Sequence, residues 1–237
     1  PPRPSSHRPV AMGPCWARAH VGCARCTASS PAAEATPDAT SSVSPSEVHA
    51  GWLDAGRGIA VVTVGSSSCV PIASAPVLTG GTLTIALAET TDAPCTRDMA
   101  PRATFVALPS GVDPTKNLDI VVTGAVSGST SLAGLATSPA PVAEFAPSAG
   151  WVGPDIAAIL TWGSSGCPAQ VEAVTSNPGG ATVTFTGPPA DQVCTMDLAP
   201  RVALADLTGI VGEGAVELTL TGGNVASDGP LEVLGQR

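Results

Sequence analysis

The chain repeats itself, and that repeat bounds its fold more tightly than any other feature. Trp52 matches Trp151, and Gly65-Ser66-Ser67-Ser68-Cys69 matches Gly163-Ser164-Ser165-Gly166-Cys167. Likewise Cys95-Thr96-Arg97-Asp98-Met99-Ala100-Pro101-Arg102 matches Cys194-Thr195-Met196-Asp197-Leu198-Ala199-Pro200-Arg201. The offset is 98 or 99 residues throughout. Several blocks holding one offset over that length read as a tandem duplication of one structural unit.

What that unit is follows from how the chain is punctuated. With 26 Gly and 24 Pro among 237 residues, long helices are broken everywhere. Only 12% of residues are charged and Lys116 is the single lysine, so no salt-bridged helical surface can be assembled. Short β-branched runs lie between the breaks: 58–64, 72–77, 82–88, 103–108, 118–123 and 131–135 in the first copy. In the second they are 155–162, 170–175, 181–186, 201–205, 215–221 and 231–234. Thr82-Leu83-Thr84-Ile85-Ala86-Leu87 alternates with period two, one face in and one out. The expectation is an all-β protein of two tandem small antiparallel β-sandwich domains, immunoglobulin-like or barrel, each with one disulfide. Residues 49–135 and 148–237 are the two repeats, with a Pro-rich linker at 136–147.

Four of seven cysteines sit at equivalent places, which suggests the bridges Cys69 to Cys95 and Cys167 to Cys194. Closing a loop of about 27 residues stabilises a domain by roughly 3 kcal/mol in the chain-entropy model. Such bridges imply an oxidising, extracytoplasmic compartment. The same cysteines do not suit structural zinc, which wants four N or S ligands where each repeat offers two thiols. No metal and no cofactor is expected. Calcium would suit the acidic second repeat, but no Asp-x-Asp-x-Asp-Gly loop occurs.

The formal charge is −9, carried mostly by residues 148–237, with nine acids against two bases; residues 49–135 hold six against four. Acidity, the absence of Tyr and the scarcity of Phe and Trp argue against nucleic acid as a partner. No apolar run reaches 18 residues, so attachment to a membrane would have to be through lipid.

Residues 1–25 read as neither a domain nor a signal peptide, and a wrong-frame or truncated N-terminus is expected there. Cys15, His20, Cys23 and Cys26 could form a metal knuckle, although no core flanks them. Residues 26–48 read as a disordered Ser/Thr/Ala/Pro tether that begins at Cys26, a lipidation candidate. Cys23, Ala24 and Arg25 stand where a lipobox would place Leu and small residues. A Cys followed by such a tether, then domains with Gly-Ser-Ser-x-Cys and Cys-Thr-x-Asp-x-x-Pro-Arg, resembles a group of secreted proteins and lipoproteins of actinobacteria. The resemblance covers about 190 residues. It implies location and fold, and transfers no catalytic or ligand residue.

Three chemistries compete for the repeated blocks. Ser66 or Ser67 could be a nucleophile, but His7, His20 and His49 all precede the first expected strand and leave it without a base. Lys116 could serve the first repeat alone. Paired-carboxylate hydrolysis needs two acids, whereas each copy repeats one, Asp98 or Asp197. Those aspartates are expected to accept backbone N–H bonds or to pair with Arg102 and Arg201, while Gly65 allows a tight turn. Trp52 and Trp151 suit buried or lid positions better than sugar platforms. Asp98, Arg102, Asp197, Arg201, Trp52 and Trp151 remain the binding candidates, with no catalytic residue. The reading is a non-enzymatic extracytoplasmic binding or structural module, a monomer whose partner is an extracellular protein or envelope component. The alternatives are an extracellular hydrolase with carboxylates at the domain junction, or a proteinase inhibitor presenting residues 66–69.

Overall fold

In the computed structural model, residues 47–90, 94–225 and 227–237 are described, and they form strands, turns and loops without an α-helix. Repeat 1 contains β1 (His49–Leu53), β2 (Gly58–Gly65), β3 (Ile72–Ala73), β4 (Val77–Thr79), β5 (Thr82–Ala88), β6 (Ala100–Ala107), β7 (Leu118–Gly124) and β8 (Gly128–Leu132). Repeat 2 contains β9 (Ser148–Trp151), β10 (Ile156–Gly163), β11 (Gln170–Asn177), β12 (Gly180–Thr186), β13 (Ala199–Asp206), β14 (Glu217–Gly222) and β15 (Leu231–Leu234).

Local sequence explains most of these elements. In β5, Leu83, Ile85 and Leu87 are buried while Thr84, Ala86 and Ala88 are exposed, as period-two patterning demands of a strand with one wet face. Gly80 and Gly81, both at positive φ, join Thr79 to Thr82 in a two-residue hairpin that other residues would strain. β2 behaves differently, because it is buried along nearly its whole length. Ile59 and Val61 enter the first repeat's core, while Ala60 and Val62 turn the other way.

Those second faces overturn the picture of two tandem antiparallel sandwiches, whether immunoglobulin-like or barrel. The chain is an all-β solenoid of about four turns with two disulfides. In repeat 1 it alternates between two sheets, with β1 and β2 in the first, β3 to β5 in the second, β6 back in the first, and β7 and β8 in the second. The second repeat takes the same path through β9 and β10, β11 and β12, β13, and finally β14 and β15. Successive passes bring strands through in the same direction, so β5 pairs with β7 and β12 with β14 in parallel. A purely antiparallel sandwich has no such pairs. A third parallel pairing, β15 with β9, merges the second repeat's strands into one seven-stranded sheet, β11-β12-β14-β15-β9-β10-β13.

The copies also share a core. Leu53, Ala60, Val62 and Ala103 from repeat 1 pack with Val152, Ala158 and Leu160 from repeat 2. Equivalent residues meet there reciprocally: a Cβ on Gly51 would collide with the Trp151 carbonyl, and one on Gly150 with the Trp52 carbonyl. The self-complementary pattern is that of a two-fold interface between identical subunits, here inside one chain. A further cross-repeat bond ties down a strained turn. Asp54 and Ala55 both adopt positive φ, and the Asp54 N–H donates to Ser148 Oγ at 2.8 Å.

Candidate functional site

The duplicated blocks come together at one end of each repeat. Cys69 and Cys95 are bridged with their Cα atoms 5.5 Å apart, and Cys167 and Cys194 likewise at 5.5 Å. Two such disulfides indicate an oxidising, extracytoplasmic environment. Among the described residues no helix is long and apolar enough to cross a membrane. Cys26 and the other N-terminal cysteines and histidines before residue 47 lie outside the described residues.

Asp98 holds the serine turn. Its carboxylate accepts the Ser67 N–H at 3.1 Å and the Thr96 hydroxyl, and Thr96 N–H donates to Ser68 Oγ at 3.0 Å. Asp197 does the same in repeat 2, accepting the Ser165 N–H at 3.0 Å and the Thr195 hydroxyl. Hydrogen bonds from Ser67 and Thr96 pull the Asp98 carboxyl down to about 2, and those from Ser165 and Thr195 do the same for Asp197. Of the two partnerships open to these aspartates, the backbone N–H bond is the one formed.

The arginines serve a different purpose. Arg102, 6% exposed, donates to the Cys69 carbonyl and to Ser66 O at 3.4 Å, and its Nη2 lies 3.4 Å from Glu89 Oε1. Arg201 donates to Cys167 O at 2.9 Å and Trp162 O at 3.1 Å. Burial lowers its pKa, although a guanidinium remains charged at any ordinary pH. Gly65 has a role unlike the turn expected of it. It closes β2 and leaves room for the arginine, whose guanidinium carbon stands 2.5 Å from where a Cβ would be. Gly163 leaves the same room beside Arg201.

Around Arg102 lies an open cavity of about 450 Å³ bounded by Ser66, Glu89, Cys95, Met99 and Val126. A second cavity, of about 460 Å³, runs between residues 135–142 and 230–236 and contains Glu232 as its one carboxylate. Among the described residues His49 is the only histidine, and it sits 3.6 Å from Glu47. The hydroxyls of Ser66 and Ser67 face Thr96, at 2.9 and 3.4 Å, rather than an imidazole. No group of three or more His, Cys, Asp or Glu among the described residues could hold a metal ion.

Both tryptophans are interior. Trp52 is wholly buried, with its indole N–H donating to Ala133 O at 2.7 Å, and Trp151 lies under the Arg237 guanidinium, 4.9 Å from the ring centre. Neither presents a face to a ligand. Glu89 escaped the sequence reading, and the only available signal was a difference between copies: Gly187 occupies its equivalent place. No protein-family model, curated protein or solved structure matches the chain.

Proposed function

We propose that the chain is a non-enzymatic binding or structural module of the cell exterior, akin to the secreted proteins and lipoproteins of actinobacteria that its motifs resemble. One observation carries this reading: the polar residues kept by both copies are engaged with the fold itself. Asp98 and Asp197 brace serine turns, and Arg102 and Arg201 bind the carbonyls beside the disulfides. Such groups rigidify a scaffold and leave no nucleophile with a base. The stretch that follows Cys26 serves as a tether up to Val48, which is already packed in the first repeat's core, and it is attached by lipid at Cys26 or released with the secreted chain. The partner is an extracellular protein or envelope component met by a monomer.

The test is to incubate the oxidised chain with envelope fractions and, separately, with glycan, ester and peptide substrates and a serine-protease panel. Retention on the envelope without product release or protease inhibition is the expected result. Turnover of any substrate overturns the reading, and stoichiometric inhibition of a protease replaces it with the inhibitor alternative. Labelling of Cys26 by an alkyne fatty acid in the producing cell distinguishes the anchored form from the secreted one.

A further inference from the structure

The two repeats present different side chains from the same brace. In repeat 2 the stretch from Gln192 to Leu198 is pinned at four residues. Gln192 Nε2 donates to the Gly166 carbonyl at 3.0 Å, and Cys194 is bridged to Cys167. The Gly166 N–H donates to Thr195 Oγ1 at 3.1 Å, and the Ser165 N–H to the Asp197 carboxylate at 3.0 Å. The remaining side chains project outwards: Val193 and Leu198 are exposed, and Met196 completely so. None of the three belongs to the repeat's core or to the core shared between the copies. In repeat 1 the same brace forms through Cys95, Thr96 and Asp98, and exposed Arg97 stands where Met196 does.

Three apolar side chains within six residues exceed the scatter of single exposed hydrophobics that any surface carries. Their surroundings narrow what covers them. Asp191 and Asp197 are exposed in the same loop, and no basic residue lies between 189 and 200. Arg201, which follows, is held by the Cys167 and Trp162 carbonyls. An apolar tip that enters a lipid surface is accompanied by Lys or Arg to meet anionic headgroups, whereas this one brings carboxylates to them. A protein pocket suits the loop instead. Met is unbranched and polarizable and is enriched at the cores of protein interfaces, as is Arg, the residue of the other copy. The brace also fixes the backbone before contact, so that little beyond the projecting side chains is ordered on binding.

We propose that residues 192–198 are the contact loop of the second repeat, which inserts Met196, flanked by Val193 and Leu198, into an apolar pocket of an extracellular protein. Arg97 gives the first repeat a different selectivity from the same brace, so the copies are not interchangeable. The proposal rests on the binding-module reading and names its surface and its class of partner.

The probe is the full oxidised chain, labelled and co-sedimented with envelope vesicles of the producing cell, intact or digested with proteinase K, and with protein-free vesicles of phosphatidylglycerol and phosphatidylethanolamine. Saturable binding to the intact envelope alone is expected. Met196→Arg gives repeat 2 the residue that the same brace already carries in repeat 1, and it should raise the half-saturating concentration about tenfold or more. Met196→Leu should raise it less than about twofold. Dilute peroxide should oxidise Met196 to the sulfoxide in the free chain and spare it in the bound one, while exposed Met99 reacts in both. Undiminished binding of Met196→Arg, binding that survives digestion or is matched by the lipid vesicles, or equal oxidation of Met196 in the two states overturns the proposal. Retention that ignores these variants rejects this loop and keeps the module reading. Absence of any retention of the wild-type chain overturns that reading and this inference with it.

Discussion

In repeat 1 the arginine beside the disulfide is almost wholly buried and meets Glu89. In repeat 2 its counterpart Arg201 is only half-buried, binds carbonyls alone, and has glycine where Glu89 would fall. The sheets differ in the same pairwise way. β15 pairs with β9 and closes repeat 2 into one sheet, while at the matching seam of repeat 1 the Trp52 indole bonds to Ala133 O instead. One sequence unit has therefore been completed by two sets of contacts. What the copies share is the disulfide, the aspartate-held serine turn and the glycine beside the arginine; what surrounds these parts has been free to diverge.

The largest test of that comparison removes the bridges one at a time. Replacing Cys69 and Cys95 together with alanine, or Cys167 and Cys194 together, should each cost about 3–4 kcal/mol in urea unfolding of the full chain. Because Cys95 is exposed and Cys194 only partly so, limited thiol reductant followed by alkylation should modify the first pair sooner. Faster modification of the second pair would reverse the ranking of the repeats.

The reciprocal seam comes next. Gly150→Ala and Gly51→Ala each drive a methyl into a carbonyl of the other repeat and should cost about 3 kcal/mol, readable as a lowered urea midpoint. If one is harmless, the interface is not two-fold in its energetics. A smaller effect separates the arginines. Arg102→Ala should destabilise the chain by about 2 kcal/mol and Arg201→Ala by less, because the buried Arg102 leaves Glu89 and the Cys69 carbonyl without their donor. Thermal unfolding of the two variants checks the order.

The smallest effect is expected to be common to both repeats. Asp98 and Asp197 have folded pKa values near 2, below the ordinary carboxylate value of about 3.9 in the unfolded chain. The folded state thus binds protons less readily than the unfolded one. The stabilisation is fully present above about pH 4 and is lost as pH falls towards 2. Both carboxylates are exposed, so the change should be modest, and Asp98→Asn or Asp197→Asn should flatten it in a pH series of melting temperatures. An unchanged acid limb in the double variant would show that these turns contribute nothing to folding.

Much of this molecule was legible residue by residue. β5 announced itself through Leu83, Ile85 and Leu87, and the paired thiols through their repeated positions. β1 and β9 were not anticipated, because His49-Ala50-Gly51 and Ser148-Ala149-Gly150 lack β-branched residues. Their small residues are used for close backbone approach across the repeat seam, a requirement set by a partner about 100 residues away. Glu89 was illegible for a similar reason: it lies outside both repeated blocks and reaches Arg102 only through folding. Of the candidate site, the aspartates' backbone bonds could be anticipated from local turn chemistry, whereas the arginines' carbonyl partners could not.

By itself the sequence determined that the chain would be all-β, duplicated and twice bridged, as suits an oxidising environment. Alternation, turn residues and cysteine position are local properties that hold whatever the strands later neighbour. Only the tertiary structure decided that successive passes would pair in parallel, that β15 would join β9, and that the copies would bury a common face. A period of two says which side of a strand is dry and nothing about what dries it. Closing a longer loop adds only a little entropy cost, so the choice among partners rests with packing between distant residues.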